Sequence, residues 1–200
     1  MTANFFDGSF PHFWQAEGLA CRPLIVPARH FVYPREAEEV ERGALEVLVQ
    51  PGVAGPPQES TPKDSPCSQQ FLATCALGFR DPAVPTGLWS TPNPEELCAV
   101  SGGYAYLIDT NAPERFTMIA YRPVLEVRAV VEAGLLLFVG SRSILAWGCD
   151  GLAWESERLS DEGVTIGEVE NGLLRGVGWE LRTDRETAFA LDVRTGRRMS

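Results

Sequence analysis

Hydrophobic and polar positions follow a regular strand pattern from residue 97 onward, where short apolar runs alternate with glycine, asparagine and aspartate. Runs of this length are typical of antiparallel β-strands, and no usable stretch of helical period interrupts them. The pattern predicts an all-β fold, mainly antiparallel hairpins and meanders, blade-like or sandwich, with at most one or two short helices. The predicted strands are Leu97–Val100, Tyr104–Asp109, Phe116–Tyr121, Val124–Val131, Leu135–Val139, Ile144–Trp147, Leu152–Trp154, Val164–Val169, Leu173–Trp179 and Ala188–Val193.

Two dipeptides in this region predict tight hairpins with a defined register. Asp150-Gly151 and Asn171-Gly172 favour type I′ turns, in which both central residues take positive φ. A turn centred on Asp150-Gly151 places Trp147 opposite Trp154 as a cross-strand pair. A turn centred on Asn171-Gly172 predicts three further pairs, which are Glu168 with Arg175, Gly167 with Gly176, and Ile166 with Val177.

The pattern is less regular before residue 97. Residues 1–34 are rich in aromatic residues and proline, and predict an irregular arm that covers its own domain or docks on a second copy or a partner. Residues 35–43 follow Pro34 with good helix formers and predict a short helix that Gly43 ends. Residues 51–68 contain five prolines and predict a long mobile loop. Strands are predicted at Ala44–Gln50 and Gln70–Phe79, a second loop at 80–95, and one domain over 1–200.

Residues 97–200 contain a weak internal repeat, in which a glycine turn precedes an apolar strand. It occurs at 101–109, 132–140 and 170–178, and repeats of this size are typical of propeller blades or stacked β-meanders. The stretch Ala190-Leu191-Asp192-Val193-Arg194-Thr195-Gly196 resembles the "ALDxxTG" ending of quinoprotein-type β-propeller blades. The resemblance implies blade-like hairpins, and it carries over no catalytic or cofactor residue. Three such units are too few to close a propeller.

Charge and cysteine content narrow the class of protein. The net charge is −10 and both halves of the chain are acidic, so the sequence lacks the basic face that nucleic acid requires. Five cysteines without a C-x-x-C motif argue against a disulfide framework. The N-terminal residues lack signal-peptide features, and no apolar stretch is long enough to span a membrane. We therefore expect a soluble cytoplasmic protein. Lys63 is the only lysine among many arginines, which is typical of a GC-rich bacterial genome.

Three sets of side chains could carry chemistry. His12, Cys21 and His30 are weak metal candidates, because their wide spacing is unlike that of a zinc site. Glu155 and Glu157 share a strand face, as a glycosidase acid pair can. Trp147 and Trp154 could form a stacking platform for a ligand, although alternation puts them on the face opposite Glu155. No phosphate loop, dinucleotide fingerprint or zinc-protease motif occurs, so no cofactor is expected.

The leading functional hypothesis is therefore a non-catalytic β-rich scaffold that binds a ligand or a protein. Its partner would be a basic protein, steered by the negative charge, or a second copy engaged through the N-terminal arm. A bacterial antitoxin-like protein or assembly factor would fit this description. The alternative is a small hydrolase or sugar-active enzyme that uses carboxylates in a β-cleft.

Overall fold

The all-β prediction is confirmed by the computed structural model, which describes residues 5–35, 43–52 and 69–199. These ranges form strands and include a 3₁₀ turn at Val131–Ala133, and they contain no α-helix. The strands are β1 Phe5–Asp7, β2 Trp14–Leu19, β3 His30–Tyr33, β4 Ala44–Pro51, β5 Phe71–Ala76, β6 Gly87–Ser90, β7 Glu96–Ser101, β8 Tyr104–Asp109, β9 Phe116–Met118, β10 Glu126–Val130, β11 Leu135–Val139, β12 Ile144–Gly148, β13 Gly151–Glu155, β14 Val164–Glu170, β15 Leu173–Glu180 and β16 Arg185–Asp192.

Most of the predicted helix at 35–43 and most of the predicted loop at 51–68 lie outside the described residues. Every strand predicted from residue 97 onward is present, with ends that differ by a few residues. The predicted strands at 44–50 and 70–79 are also present, as β4 and β5. The period-two alternation of apolar side chains was therefore a good signal from residue 97 onward, but it missed β6, which lies inside the loop predicted at 80–95.

The strands form four sheets. Sheet I has the order β2-β4-β5-β3, and sheet II the order β1-β6-β7-β8-β9. Sheet III is β10-β11-β12-β13, and sheet IV is β14-β15-β16. In sheets III and IV, and in the β6–β9 part of sheet II, consecutive strands are neighbours, so these are meanders of the kind that the blade resemblance implies. The repeated glycine turn is not equivalent in all three, because it precedes the third strand of the β6–β9 meander and the second strand of sheets III and IV.

Three hydrophobic clusters join the sheets face to face. Sheets I and II share a core that includes Trp14, Phe71 and Tyr106. Sheets II and III share a second core, and sheets III and IV share a third one that includes Trp154 and Leu174. The sheets therefore stack in the order I-II-III-IV. Among the described residues no core cluster joins sheet I to sheet IV, so the outward faces of these two sheets form the ends of the stack.

The segment predicted as an irregular arm contains three strands instead. β1 pairs in parallel with β6, and β3 pairs in parallel with β5. β2 pairs antiparallel with β4. The partners of β1, β2 and β3 are remote in sequence, and aromatic contacts such as Phe6 against Trp14 help to hold the segment. Local alternation was a poor guide here because β1 and β3 have three and four residues, and because β2 carries no regular alternation of apolar and polar side chains.

The hairpin at residues 148–151 differs from the predicted one. Gly148 pairs with Gly151, so the loop is centred on Cys149 and Asp150. Gly151 takes a φ of +109°. Asp150 does not take a positive φ, since the non-glycine residues that do so in the described chain are Asn171 and Asp184. Because Asp150 keeps an ordinary φ, the type I′ turn does not form. Trp147 lies opposite Leu152, and Trp154 lies opposite Ala146 across a bulge, so the predicted tryptophan pair is absent.

The second hairpin has the predicted turn but not the predicted register. Asn171 and Gly172 have φ of 52° and 76°, and Glu170 pairs with Leu173. A bulge between Ile166 and Val169 then shifts the pairing by one residue. Ile166 consequently pairs with Gly176 and not with Val177 as predicted. The predicted pairs of Gly167 with Gly176 and of Glu168 with Arg175 do not form either.

The bulge in β14 is stabilised from the neighbouring sheet. Arg128 on β10 donates to the carbonyl oxygen of Gly167, and lies 3.4 Å from that of Ile166. Its Nε also donates to Glu126 Oε1 at 2.9 Å. A carbonyl left unpaired by the bulge thus gains a charged donor, a contact that only the stacking of sheets III and IV supplies.

Candidate functional site

The two tryptophans predicted as a stacking platform lie on opposite sides of sheet III. Trp147 belongs to the core between sheets II and III, and its Nε1 donates to Glu96 Oε2 at 2.8 Å. Trp154 belongs to the core between sheets III and IV, and its Nε1 donates to the carbonyl of Val193 at 3.0 Å. Each tryptophan residue is 8% exposed, and the two rings lie in different cores, so they line no common surface.

Glu155 and Glu157, the predicted acid pair, have separate partners. The Tyr121 hydroxyl lies 2.7 Å from Ser143 Oγ and donates to Glu155 Oε1 at 2.9 Å. Burial raises the pKa of Tyr121, so its hydroxyl keeps the proton it donates. Glu157 faces Arg198 at 3.9 Å. The two carboxylates are therefore engaged by different elements, and the structure does not bring them together in a cleft.

The weak metal candidates are also separated. His12 Nδ1 lies 2.9 Å from the carbonyl of Phe10, and its ring packs against Trp14. His30 Nε2 lies 2.8 Å from Thr74 Oγ1, and Cys21 is exposed and unpaired. Over residues 5–35, 43–52 and 69–199, no group of three or more histidine, cysteine, aspartate or glutamate side chains is arranged to hold a metal ion.

Glu96 is a partly buried carboxylate with a perturbed pKa, and nothing in the sequence set it apart from the other acidic side chains. Burial raises the pKa of Glu96, while hydrogen bonds from Trp147 and Thr91 oppose that shift. Its cross-strand neighbour Asp109 is bound by Arg115 at 2.6 Å. The carboxyl groups of Glu96 and Asp109 are thus both engaged in contacts that hold parts of the fold together. A raised pKa in a buried carboxyl is a known mark of an acid catalyst, but here burial between two sheets accounts for it.

A cleft lies on the outward face of sheet IV. Leu174, Phe189 and Leu191 point inward to the core, so alternation turns Val177 and Trp179 of β15 outward. Trp179 pairs with Glu186 on β16, which therefore shares this face. The cleft has a volume of about 370 Å³ and is lined by Glu162, Gly163, Thr165, Val177, Gly178, Trp179 and Glu186.

The wall that carries the tryptophan is fixed by backbone contacts. The amide of Trp179 donates to Ser160 Oγ at 2.9 Å, and its carbonyl accepts from the amide of Asp161 at 2.7 Å. Gly178 permits this approach, because a Cβ there would lie 2.2 Å from the carbonyl oxygen of Leu159. The loop that carries Glu162 is therefore clamped to β15, and the cleft is preformed.

The cleft combines an aromatic ring with negative charge. Trp179 is half-buried, and its indole N–H has no hydrogen-bond partner within the described chain. Glu162 and Glu186 are exposed and form no ion pair with a described residue. An aromatic face beside two unpaired carboxylates attracts a cationic side chain, through cation–π and Coulomb interactions together.

Sequence reasoning missed this cleft because it depends on pairing across the sheet. Trp179 ended a predicted strand and Glu186 fell just before another, and nothing local placed them side by side. The signal that could have found the cleft was the short connection between β15 and β16. A short connection sets the register of a hairpin, and here it places residue 179 opposite residue 186.

No protein-family model and no curated protein sequence matches the chain. The solved structures that resemble it in part include the following two. One is a chain of the S. cerevisiae complex of a Dbp5 variant bound to Nup159, a Gle1 variant, IP6 and ADP, with 10% identity, a TM-score of 0.36, and coverage of 94% of this chain and 49% of that chain. The other is the N-terminal domain of Nup159, with 11% identity, a TM-score of 0.36, and coverage of 100% of this chain and 53% of that chain.

The chain thus spans about half the length of each of these structures. Such low TM-scores support no inference about function. None of the described residues forms a helix with the length and apolar character needed to cross a membrane.

Proposed function

We propose that the chain is a non-catalytic binding module that holds a basic segment of a protein partner in the cleft on sheet IV. The observation that carries the proposal is the half-buried Trp179 between two exposed carboxylates that have no ion-pair partner in the described chain. An arginine side chain can stack its guanidinium on the indole while it donates to Glu162 or Glu186.

The overall charge supports the same class of partner. The net charge of −10 repels acidic molecules and attracts basic ones over distances of about one Debye length, ~8–10 Å at moderate salt. Long-range attraction mainly raises the association rate, and the cleft then supplies the short-range contacts. Because these contacts are few and partly exposed, a single basic segment is expected to bind with a dissociation constant on the order of 1 mM or somewhat below.

The alternative prediction, a hydrolase or sugar-active enzyme, has less support from this cleft. The general acid of such an enzyme is normally a carboxyl group in an apolar, buried setting. Glu162 and Glu186 are both exposed instead. The exposure of both carboxylates therefore supports recognition as the proposed role of the cleft.

The test is a titration followed at the indole N–H signals by NMR, with a short capped peptide that contains two arginines. Replacing both arginines by citrulline keeps the shape of the peptide and removes its charge, so the citrulline peptide is the matched ligand control. We expect the arginine peptide to shift the Trp179 signal in a saturable way, with an affinity at least tenfold above that of the citrulline peptide.

Variants locate the interaction. Because Trp179→Leu lacks the reporting indole, binding by the variants is followed at the backbone amide signals of β15 and β16. Trp179→Leu and Glu186→Gln are each expected to weaken binding several-fold, and Glu168→Gln, an exposed change on β14 outside the cleft, is expected to leave it unchanged. Equal affinity for both peptides, or an unchanged affinity in Trp179→Leu, would refute the proposal.

A further inference from the structure

The loop between β2 and β3 presents an apolar tip to solvent. Leu24 is 104% exposed and Ile25 is 89% exposed, and Val26 beside them is 39% exposed. Single exposed apolar side chains are common on protein surfaces, but adjacent ones at the tip of a loop form a patch that favours contact with another molecule.

The tip is held firmly at its first end by a polar network. Arg22 donates to Thr74 Oγ1 at 3.2 Å, and its Nε lies 3.4 Å from Glu46 Oε1. Thr74 in turn donates to Glu46 Oε2 at 2.6 Å, and His30 lies 2.8 Å from the same hydroxyl. Pro23 follows directly and restricts the backbone where the tip begins.

The second end of the tip is held as well. Pro27 follows Val26, and Arg29 donates to the carbonyl of Gln69 at 2.8 Å. The Arg29 guanidinium also lies 5.8 Å from the ring centroids of Phe31 and Phe71. A loop fixed at both ends loses little conformational entropy when its tip is bound, so Leu24 and Ile25 are preorganised for an interaction.

The tip and the cleft belong to opposite ends of the molecule. Val47 and Cys75 point into the core between sheets I and II, so their neighbours Glu46 and Thr74 lie on the outward face of sheet I. The network that holds Arg22 is therefore on this face, at one end of the I-II-III-IV stack. The cleft lies on the outward face of sheet IV, at the other end.

We infer that the apolar tip of one copy of this chain docks in the cleft of a second copy, which joins molecules head to tail. This inference rests on the proposed function of the cleft and names its partner as a second copy. Leu24 and Ile25 would pack on Trp179 and Val177, and Arg22, which keeps 48% of its side chain exposed, would approach the unpaired carboxylates of the cleft. An apolar tip beside an arginine is complementary to a cleft in which Trp179 and Val177 lie next to the carboxylates of Glu162 and Glu186.

This geometry has a consequence for symmetry. The two surfaces differ and lie on different sheets, so the contact is heterologous, and each bound pair still offers one unused tip and one unused cleft. It also differs from a swapped N-terminal arm, because β1, β2 and β3 remain paired in their own sheets. The net charge of −10 on each copy opposes the encounter of two copies, as it opposes approach to an acidic lipid surface. The local contact of Arg22 with the cleft carboxylates has to outweigh this repulsion, so salt that screens the repulsion should strengthen association.

The test uses sedimentation velocity of the full chain and two variants that each remove one surface. Leu24→Ser with Ile25→Ser removes the tip, and Trp179→Ala with Glu186→Arg removes the cleft. Concentrations up to about 0.5 mM are needed, because a contact of under about 1,200 Å² belongs to the weak, transient class. The wild type is expected to rise above its monomer mass of 21.9 kDa with concentration, whereas each variant alone stays monomeric.

The decisive sample is an equimolar mixture of the two variants. The tip variant still has a cleft and the cleft variant still has a tip, so the mixture should form dimers of one copy of each and nothing larger. Leu152→Ser, which removes an exposed leucine elsewhere at 58% exposure, is the matched control and should associate like the wild type. Thermal melting of each variant verifies that it is folded.

The outcomes separate this inference from the proposed function. A monomeric wild type at the highest concentration, or a mixture that fails to associate, overturns the head-to-tail contact. If the arginine peptide still shifts the Trp179 signal in a chain that does not associate, the proposed function of the cleft stands and the head-to-tail contact alone is refuted. Binding to anionic vesicles that the tip variant abolishes, in a chain that stays monomeric, would assign the tip to a lipid surface and would also overturn the inference.

Discussion

Trp147 donates a hydrogen bond of 2.8 Å from its indole Nε1 to Glu96 Oε2 and so ties sheet III to sheet II through a partly buried carboxylate. Burial raises the pKa of Glu96, and the hydrogen bonds from Trp147 and Thr91 offset part of this effect. The folded protein therefore binds the Glu96 proton more tightly than the unfolded chain does. The protonated form stabilises the fold, and this contribution is lost as pH rises through the pKa of the folded state.

The first prediction concerns Glu96→Gln. The amide keeps an acceptor for Trp147 but cannot ionise, so the variant should gain free energy of unfolding relative to the wild type as pH rises from about 4 to about 7. The measurement is urea unfolding at several pH values. Glu95→Gln, an exposed neighbour, should show no such trend. A constant difference between Glu96→Gln and the wild type at all pH values would contradict the prediction.

The second prediction concerns the bulge in β14. Replacing Arg128 by Met keeps much of the aliphatic stem but removes the donor to the carbonyl of Gly167. We expect a loss of about 1–3 kcal/mol, because the carbonyl loses a charged hydrogen bond. Hydrogen exchange should quicken at the amides around 166–169. Arg142→Met, outside this contact, is the comparison, and an equal loss in both variants would show that the bulge does not depend on Arg128.

The third prediction compares two glycines of nearly equal backbone conformation. Gly134 and Gly196 have φ of +64° and +67°. A Cβ at Gly134 meets nothing within 4 Å, whereas one at Gly196 would lie 2.4 Å from the ring of Trp154. Gly134→Ala should cost about 1 kcal/mol, the conformational penalty alone. Gly196→Ala adds a clash with a packed indole and should cost about 3 kcal/mol or more.

Thermal or chemical unfolding of the two alanine variants decides this comparison. The loss measured for Gly196→Ala also tests how firmly the turn in the Ala190–Gly196 stretch is fixed against Trp154. This turn is closed by hydrogen bonds from the amides of Arg194 and Thr195 to Asp192 Oδ1. Similar losses at Gly134 and Gly196 would mean that the turn shifts away from Trp154 at little cost.

The fourth prediction separates the two hairpin turns. Asn171 has a positive φ, which alanine adopts at a cost of about 1–2 kcal/mol. Asp150 keeps an ordinary φ in a turn where Gly151 takes the positive one, so Asp150→Ala should change stability by less than about 0.5 kcal/mol. Chemical unfolding of both variants gives the comparison. A larger loss at Asp150 than at Asn171 would contradict the turn geometry described above.

The sequence by itself determined the strand content after residue 97 and the type I′ turn at Asn171-Gly172. These features depend on residues that are neighbours in sequence. The alternation of apolar and polar residues follows from which face of a strand is buried, and the preference of Asn-Gly for positive φ is a local steric property. The acidic charge, spread over both halves, was likewise evident from composition.

Only the tertiary structure decided the partners of those strands. β1 and β3 pair with strands far along the chain, and the register of β14 is shifted by a bulge that Arg128 stabilises from another sheet. The separation of Trp147 from Trp154 and the cleft formed by Trp179 and Glu186 follow from the registers of their hairpins. Stacking and register depend on contacts between distant segments, and a local pattern carries no record of which segment lies opposite.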